Sequence, residues 1–240
     1  MFCGLKKISQ PSIKAGFFCW IIVSLFSACH LSSGVSTSSL QKPEGALKKI
    51  AVLPFQAVPP EGFARISEVA ARPATIIKTD NAPSSPAAVV EEIFWEALSE
   101  SIKIPLVSPA KTGVTYAEIV SSSFKLSFPE ALRQLGIKLE ADAVFVGFVY
   151  NYRERVGYSY GVDKPAAVFL EIQLYRCRDG ALLWRAVFDK TQQSLMENVL
   201  DIKSFIKDRG KWVTAKELAQ EGVQEIVSRF RRELLSSGEE

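Results

Sequence analysis

The chain has 240 residues, 48% of them hydrophobic and 23% charged, which excludes a disordered or fibrous protein and allows one domain or two small ones. Its formal charge of +3 resides in the first 28 residues, where Lys6, Lys7 and Lys14 stand without an acid. The remainder holds 26 basic and 26 acidic side chains, so it has no net positive field to draw it to nucleic acid or anionic lipid.

Residues 1–14 are short and basic, and Ala15 to Ala28 form a 14-residue, almost wholly apolar run. That run has the length of a signal-peptide core and falls short of the roughly 20 residues a membrane-spanning helix needs. It ends in Phe26-Ser27-Ala28-Cys29. Small residues at the two positions before a cysteine resemble the lipobox of bacterial lipoproteins, with Phe26 where that family usually has leucine. The resemblance implies diacylglycerol on the Cys29 thiol and cleavage of residues 1–28 just before it. His30 follows where aspartate retains many lipoproteins in the inner membrane. Its presence favours the outer membrane, facing the periplasm, with the inner membrane as the open alternative. A plain secretory cut after Ala28 would need a small residue at Phe26.

Residues 29–49 read as the lipidated cysteine and a flexible tether rich in serine and polar residues. The nineteen residues 31–49 reach about 60 Å when extended. The domain is expected over 50–236. Ile50–Phe55 suits a buried strand, and 56–85 follows as a long proline-containing connection with a short helix at 63–71. Ser85 and Pro86 open a helix whose apolar residues run from Val89 to Ile102. Ile104–Val107 reads as a strand. Ser127 and Glu130 have capping-box spacing for a second helix that Gly136 would end. Ala143–Tyr152, Ala167–Arg176 and Leu182–Phe188 read as three strands of an antiparallel meander, the last two joined by Asp179-Gly180. In the second of them Glu171 and Gln173 alternate with apolar residues, which predicts a wet face. Thr214 and Glu217 open a final amphipathic helix to Leu235, expected to cover the sheet rather than lie on a membrane because its polar face mixes both charge signs.

The expected fold class is therefore α/β (α+β), a single domain with a mixed sheet, an antiparallel meander and about three packed helices. Three segments carry a more specific likeness. Lys49–Phe55 resembles the opening strand of the N-terminal domain of TolB, of the curli-secretion lipoprotein CsgG and of outer-membrane lipoproteins that activate penicillin-binding proteins. Leu139–Gly147 resembles that group's helix, small-Asp, strand, Gly segment, and Asp179–Trp184 its Trp-bearing hairpin. The resemblance spans about 49–235 and implies a periplasmic scaffold or adaptor without catalytic residues. Residues 56–85 and 191–213 have no counterpart in it.

Candidate chemistry is sparse. His30, the one histidine, sits beside the proposed lipid, so a Ser/His or Cys/His pair inside the domain is excluded. Cys3 and Cys19 leave with the signal, so Cys177 has no disulfide partner once Cys29 is lipidated, and no Cys/His cluster suggests a metal. No phosphate loop or dinucleotide fingerprint is present, and no cofactor is expected. Glu91 and Glu92 read as acids favoured by a helix N-terminus, Asp142 as a turn or cap residue, and Cys177 as a surface thiol that Arg176 and Arg178 would activate if it reacts at all. Trp212 falls near a hydrophobic-staple position before Thr214. The stretch Tyr150–Gly161 groups tyrosines with arginines, the residue types that anchor interfaces, so Tyr152, Arg153, Arg155, Tyr158 and Tyr160 are the candidate partner contacts. The alternative is ordinary cross-strand aromatic pairing.

The expected function is that of a non-catalytic, lipid-anchored binding or assembly module of a secretion, cell-wall or outer-membrane complex. Its expected partners are the membrane, through the lipid, and an envelope protein, with oligomerisation open. The alternatives are an envelope enzyme using clustered carboxylates and a subunit of an outer-membrane secretion pore. The connections 56–85 and 153–166 lack the alternation that barrel strands require.

Overall fold

The computed structural model describes residues 34–39, 46–58, 85–122, 125–158, 161–191 and 213–235. Cys29, the helix expected at 63–71, Tyr160, Trp212 and nearly all of 191–213 lie outside the described residues.

The strands are β1 (Val35–Ser39), β2 (Ile50–Val52), β3 (Gln56–Ala57), β4 (Leu106–Val107), β5 (Ala143–Arg153), β6 (Val156–Tyr158), β7 (Gly161–Lys164), β8 (Ala167–Arg176) and β9 (Leu182–Thr191). The helices are α1 (Pro86–Ser101), α2 (Pro109–Ser121), α3 (Phe128–Leu139) and α4 (Ala215–Phe230), the last running into a π-helical turn at Arg231–Leu235. The main sheet has the order β1-β9-β8-β5-β2-β4, and β3 continues along β5 beyond β2. β5, β8 and β9 are the antiparallel meander that was expected, while β2, β3 and β4 join in parallel. β2 and β3 are two pieces of one path. Leu53 N–H donates to Phe145 O and Val58 N–H to Val149 O, and between them stands Pro54, which has no N–H to give.

Helices cover both faces. On one, α1 and α4 pack together, and Phe55, Phe94, Phe145, Phe230 and Trp184 form a chain of ring contacts with centroids 5.1–5.6 Å apart. On the other, α2 and α3 bury Tyr116, Ile119, Leu132 and Leu135 against Ala51, Val144 and Val146. Gly147 lets the Phe55 ring lie flat on β5, since a Cβ there would collide with that ring. Two of the sequence segments that carried the resemblance therefore meet at this contact.

The α/β domain with a mixed sheet stands as expected, with several differences. Residues 35–39, expected as tether, form β1, an edge strand that pairs along β9. The described sheet thus includes a strand ahead of Ile50. Pairing partners decide this, because only Val35 of the strand is buried. Residues 56 and 57, expected in a long connection, are β3. A fourth helix, α2, occupies 109–121, where the sequence reading placed none. Its buried residues Pro109, Thr112, Tyr116 and Ile119 do fall at helical spacing. Ser127 makes no side-chain cap bond, because Glu130 is taken by Arg133 and Gln134. Gly136 lies inside α3, which ends at Glu140 in the left-handed conformation (φ 54°). The Thr214–Glu217 capping box and the covering role of α4 are as expected.

Candidate functional site

The sheet register sorts the candidate surfaces to two ends and one face of the domain. At one end, β5 runs out through Tyr152 and Arg153 into the β6–β7 hairpin. A bulge at Tyr150 re-aims the side chains beyond it on β5. Tyr150 itself is buried, on the α2/α3 face, and Tyr152 is half-buried against the α1/α4 core. Burial, and then the charge of Glu154, push the Tyr152 hydroxyl above its ordinary pKa. The exposed Arg153 donates from Nε to Pro165 O at 3.2 Å. Arg155 is half-buried with Nη1 lacking a hydrogen-bond partner, and its charge acts on Glu217. Tyr158 pairs through its backbone with Gly161. Of the five candidate contacts, Arg153, Arg155 and Tyr152 therefore gather at this end, together with the hairpin that bears Tyr158.

The same end holds a residue that sequence reading missed. The Glu154 carboxylate accepts the Ala215 N–H at 3.1 Å and 3.3 Å, so it caps α4 from a distance of 61 residues. Glu91 is a second such case and a correction. It lies beyond the first turn of α1, and its Oε2 accepts the Phe55 N–H at 2.7 Å. Burial raises its pKa, and the Phe55 bond partly opposes that rise.

On the α2/α3 face, the β8–β9 half of the sheet carries a polar network. Glu171 is 1% exposed and Gln173 is also buried, which corrects the wet face expected for β8. Tyr150 OH donates to Glu171 Oε2 at 3.0 Å, as does Arg185 Nη2 at 3.0 Å, while Gln173 Nε2 and Arg185 Nε donate to Oε1. Tyr175 OH donates to Gln173 Oε1 at 2.6 Å. Burial and then the Glu171 charge push Tyr175 up to about 12 and Tyr150 higher still, so both phenols are donors at neutral pH. The bond to Glu171 raises Arg185. Each carboxylate oxygen accepts two bonds. The network therefore ties β5, β8 and β9 together, and the neighbours of this carboxylate are a guanidinium, an amide and phenols rather than a second carboxylate.

At the opposite end of the strands an open cleft of about 590 Å³ is lined by Arg133, Arg176, Arg178, Asp142, Ile137 and Cys177, among others. Arg133 holds Glu130 at about 2 through two hydrogen bonds, and Arg176 does the same for Asp179. Asp142 Oδ2 accepts the N–H groups of Lys48 and Lys49 at 2.7 Å and 3.0 Å, a tie to a segment 93 and 94 residues earlier rather than the local turn or cap role expected of it. Cys177 is buried, not at the surface. Desolvation first, and Asp142 second, push its thiol to about 12, against the activation its flanking arginines suggested. Among the described residues no group of His, Cys, Asp and Glu is arranged to hold a metal, and no helix is long and apolar enough to cross a membrane.

No protein-family model matches the chain, and no curated protein matches it. Among solved structures it is similar to the PelC dodecamer from Paraburkholderia phytofirmans, at 16% identity over 81% of this chain and 95% of that one (TM-score 0.44). It is similar to the hypothetical protein CT253 from Chlamydia trachomatis, at 17% identity over 78% and 98% (TM-score 0.43). It is also similar to lipoprotein GNA1162 from Neisseria meningitidis, at 15% identity over 67% and 96% (TM-score 0.33).

Proposed function

We propose that the protein is a lipid-anchored envelope protein that acts in the periplasm as a non-catalytic binding or assembly module. The observation that carries this reading is the placement of Cys29 at the end of a 14-residue apolar run, directly after Ser27 and Ala28. The run is too short to span a bilayer, and its removal takes the excess of positive charge with it. The small α/β domain beyond it has its buried carboxylate neutralised by Arg185, which suits a rigid scaffold. Its contact surface is the end that bears Tyr152, Arg153, Arg155 and the backbone hairpin of Tyr158.

The test is metabolic labelling with palmitate, comparing the natural chain with Cys29→Ser. Labelling and signal cleavage are expected for the natural chain, and neither for the variant. Unchanged fatty-acid incorporation in Cys29→Ser would sink the assignment. Crosslinking in intact envelopes is expected to recover one reproducible protein partner. Failure to recover any partner from lipidated protein argues against the binding role while leaving the anchor standing.

A further inference from the structure

The order of the strands, combined with the position of Cys29, selects a face of the domain. From Cys29 to the first strand residue, Val35, there are six Cα steps, a reach of no more than about 20 Å. Val35 lies opposite Phe188, Phe188 opposite Leu170, and Leu170 opposite Val149. The chain therefore joins the sheet at the end where β5 leaves for the β6–β7 hairpin. Arg153 stands four residues beyond Val149, which carries it about 13 Å further in the direction from which the tether comes. The arginine-lined cleft is at the other end. Arg176 pairs with Ala143, ten residues back along β5 and about 33 Å from Arg153.

We infer that the hairpin end of the domain lies against the lipid surface that holds Cys29, with the arginine-lined cleft turned away from it. The inference rests on the lipidation of Cys29 and names the bilayer as the partner of the contact surface assigned above. The chemistry of this end suits a neutral interface. Val156 on β6 is 52% exposed, one of three large hydrophobics so exposed among the described residues, and the half-buried Tyr152 lies beside the hairpin. Among the described residues at this end, Arg153, Arg155, Lys164 and Lys190 stand with Glu154, Asp163, Asp189 and Glu221, so the short tether and apolar contact, rather than attraction to anionic lipid, set the orientation. The cleft end is left open to the periplasm for a protein partner.

The experiment uses the full-length, processed protein in phosphatidylcholine vesicles containing a nitroxide-labelled lipid. An environment-sensitive fluorophore is attached at Val156→Cys or at Ile137→Cys. Both positions are exposed (52% and 66%), and Ile137 lines the cleft. In this form Cys29 is blocked by lipid, and the buried Cys177 does not compete for label. Quenching at Val156 at least threefold stronger than at Ile137 is expected. Equal quenching, or stronger quenching at Ile137, overturns the orientation. A Val156 probe shielded from aqueous iodide but untouched by the nitroxide lipid reports a protein, such as a second copy, on the hairpin and overturns the lipid assignment. Mass spectrometry of Cys29 and vesicle flotation on the same samples separate the two readings. Without lipid and flotation the anchor falls and the orientation with it, whereas with both present a failed quenching pattern removes the orientation alone.

Discussion

Single residues in this protein take roles set by chain segments far from them. Glu91 sits on a helix, yet its carboxylate serves the backbone N–H of Phe55, 36 residues earlier. Because burial raises its pKa, the folded state holds that proton to a higher pH than the unfolded chain does. Its contribution to stability is therefore fully present below the unfolded value and is lost as pH rises through the folded one. Glu130, Asp179 and Glu217 have lowered values and act oppositely, contributing above their unfolded values and losing that as pH falls. Glu91→Gln keeps an oxygen for Phe55 and removes the titration. The variant is expected to lose the part of the decline in melting temperature that the natural protein shows as pH rises above the ordinary glutamate range. Identical pH profiles for the two would refute this role. Cys177 offers a second check. With its thiol pushed to about 12, the lipidated native protein is expected to resist a thiol reagent at pH 8 and to react once unfolded in urea.

Two helices show how the same local spacing gives different outcomes. Thr214 and Glu217 close a reciprocal box, in which Thr214 N–H donates to Glu217 Oε2 at 2.7 Å and Glu217 N–H donates to Thr214 Oγ1 at 3.2 Å. Ser127 and Glu130 have the spacing without the box, because Arg133 offers Glu130 a two-point, charge-assisted alternative. Thr214→Ala is expected to cost about 1 kcal/mol, and Ser127→Ala less than about 0.5 kcal/mol, by urea unfolding. Equal costs would refute the difference. Along α4, Gly222 faces the buried Phe188 ring, and a Cβ there would lie within 2.7 Å of three ring carbons. Gly222→Ala gains up to about 1 kcal/mol of helix propensity. It also forces apart a helix–sheet contact at a cost of about 1–3 kcal/mol. Overpacking is expected to win, and a higher melting temperature for the variant would show that it does not.

At the scale of the molecule, one aromatic chain links both helices of the α1/α4 layer to the sheet, with Phe145 between Phe94 and Phe230. Phe145→Ala is expected to cost about 3–5 kcal/mol and to lower the unfolding midpoint of the whole domain in one transition. A local loss confined to one layer would contradict a single cooperative core. The edge strand β1 is joined to the far end of the chain through Glu233, whose carboxylate accepts from Thr37 Oγ1 and Trp184 Nε1, each at 2.8 Å. Glu233→Ala is expected to raise amide exchange in 35–39 roughly tenfold, equivalent to about 1.4 kcal/mol of local stability. β1 is the first described element after Cys29, so under the proposed lipidation loosening it would lengthen the tether and weaken any orientation the anchor imposes.

What the sequence by itself determined is local or periodic. The Ser85-Pro86 start of α1, the Thr214–Glu217 box, the Asp179-Gly180 turn and the apolar faces of the meander each depend on residues within a few positions of one another. The lipobox-like Cys29 belongs to the same class. The tertiary structure decided what depends on distant partners. Polar residues 35–39 became a strand because β9 offered an open edge, and Glu171 was buried because Arg185 and Tyr150 arrived from other strands to neutralise and bond it. Glu154 became a helix cap through chain crossing rather than spacing. The proposed contact residues Tyr152, Arg153 and Arg155 were visible in the sequence, but that they share an end of the sheet with the point where β1 enters was not. Strand register set that, and its decisive step is the pairing of β1 with β9, where Val35 meets Phe188 from the far part of the chain.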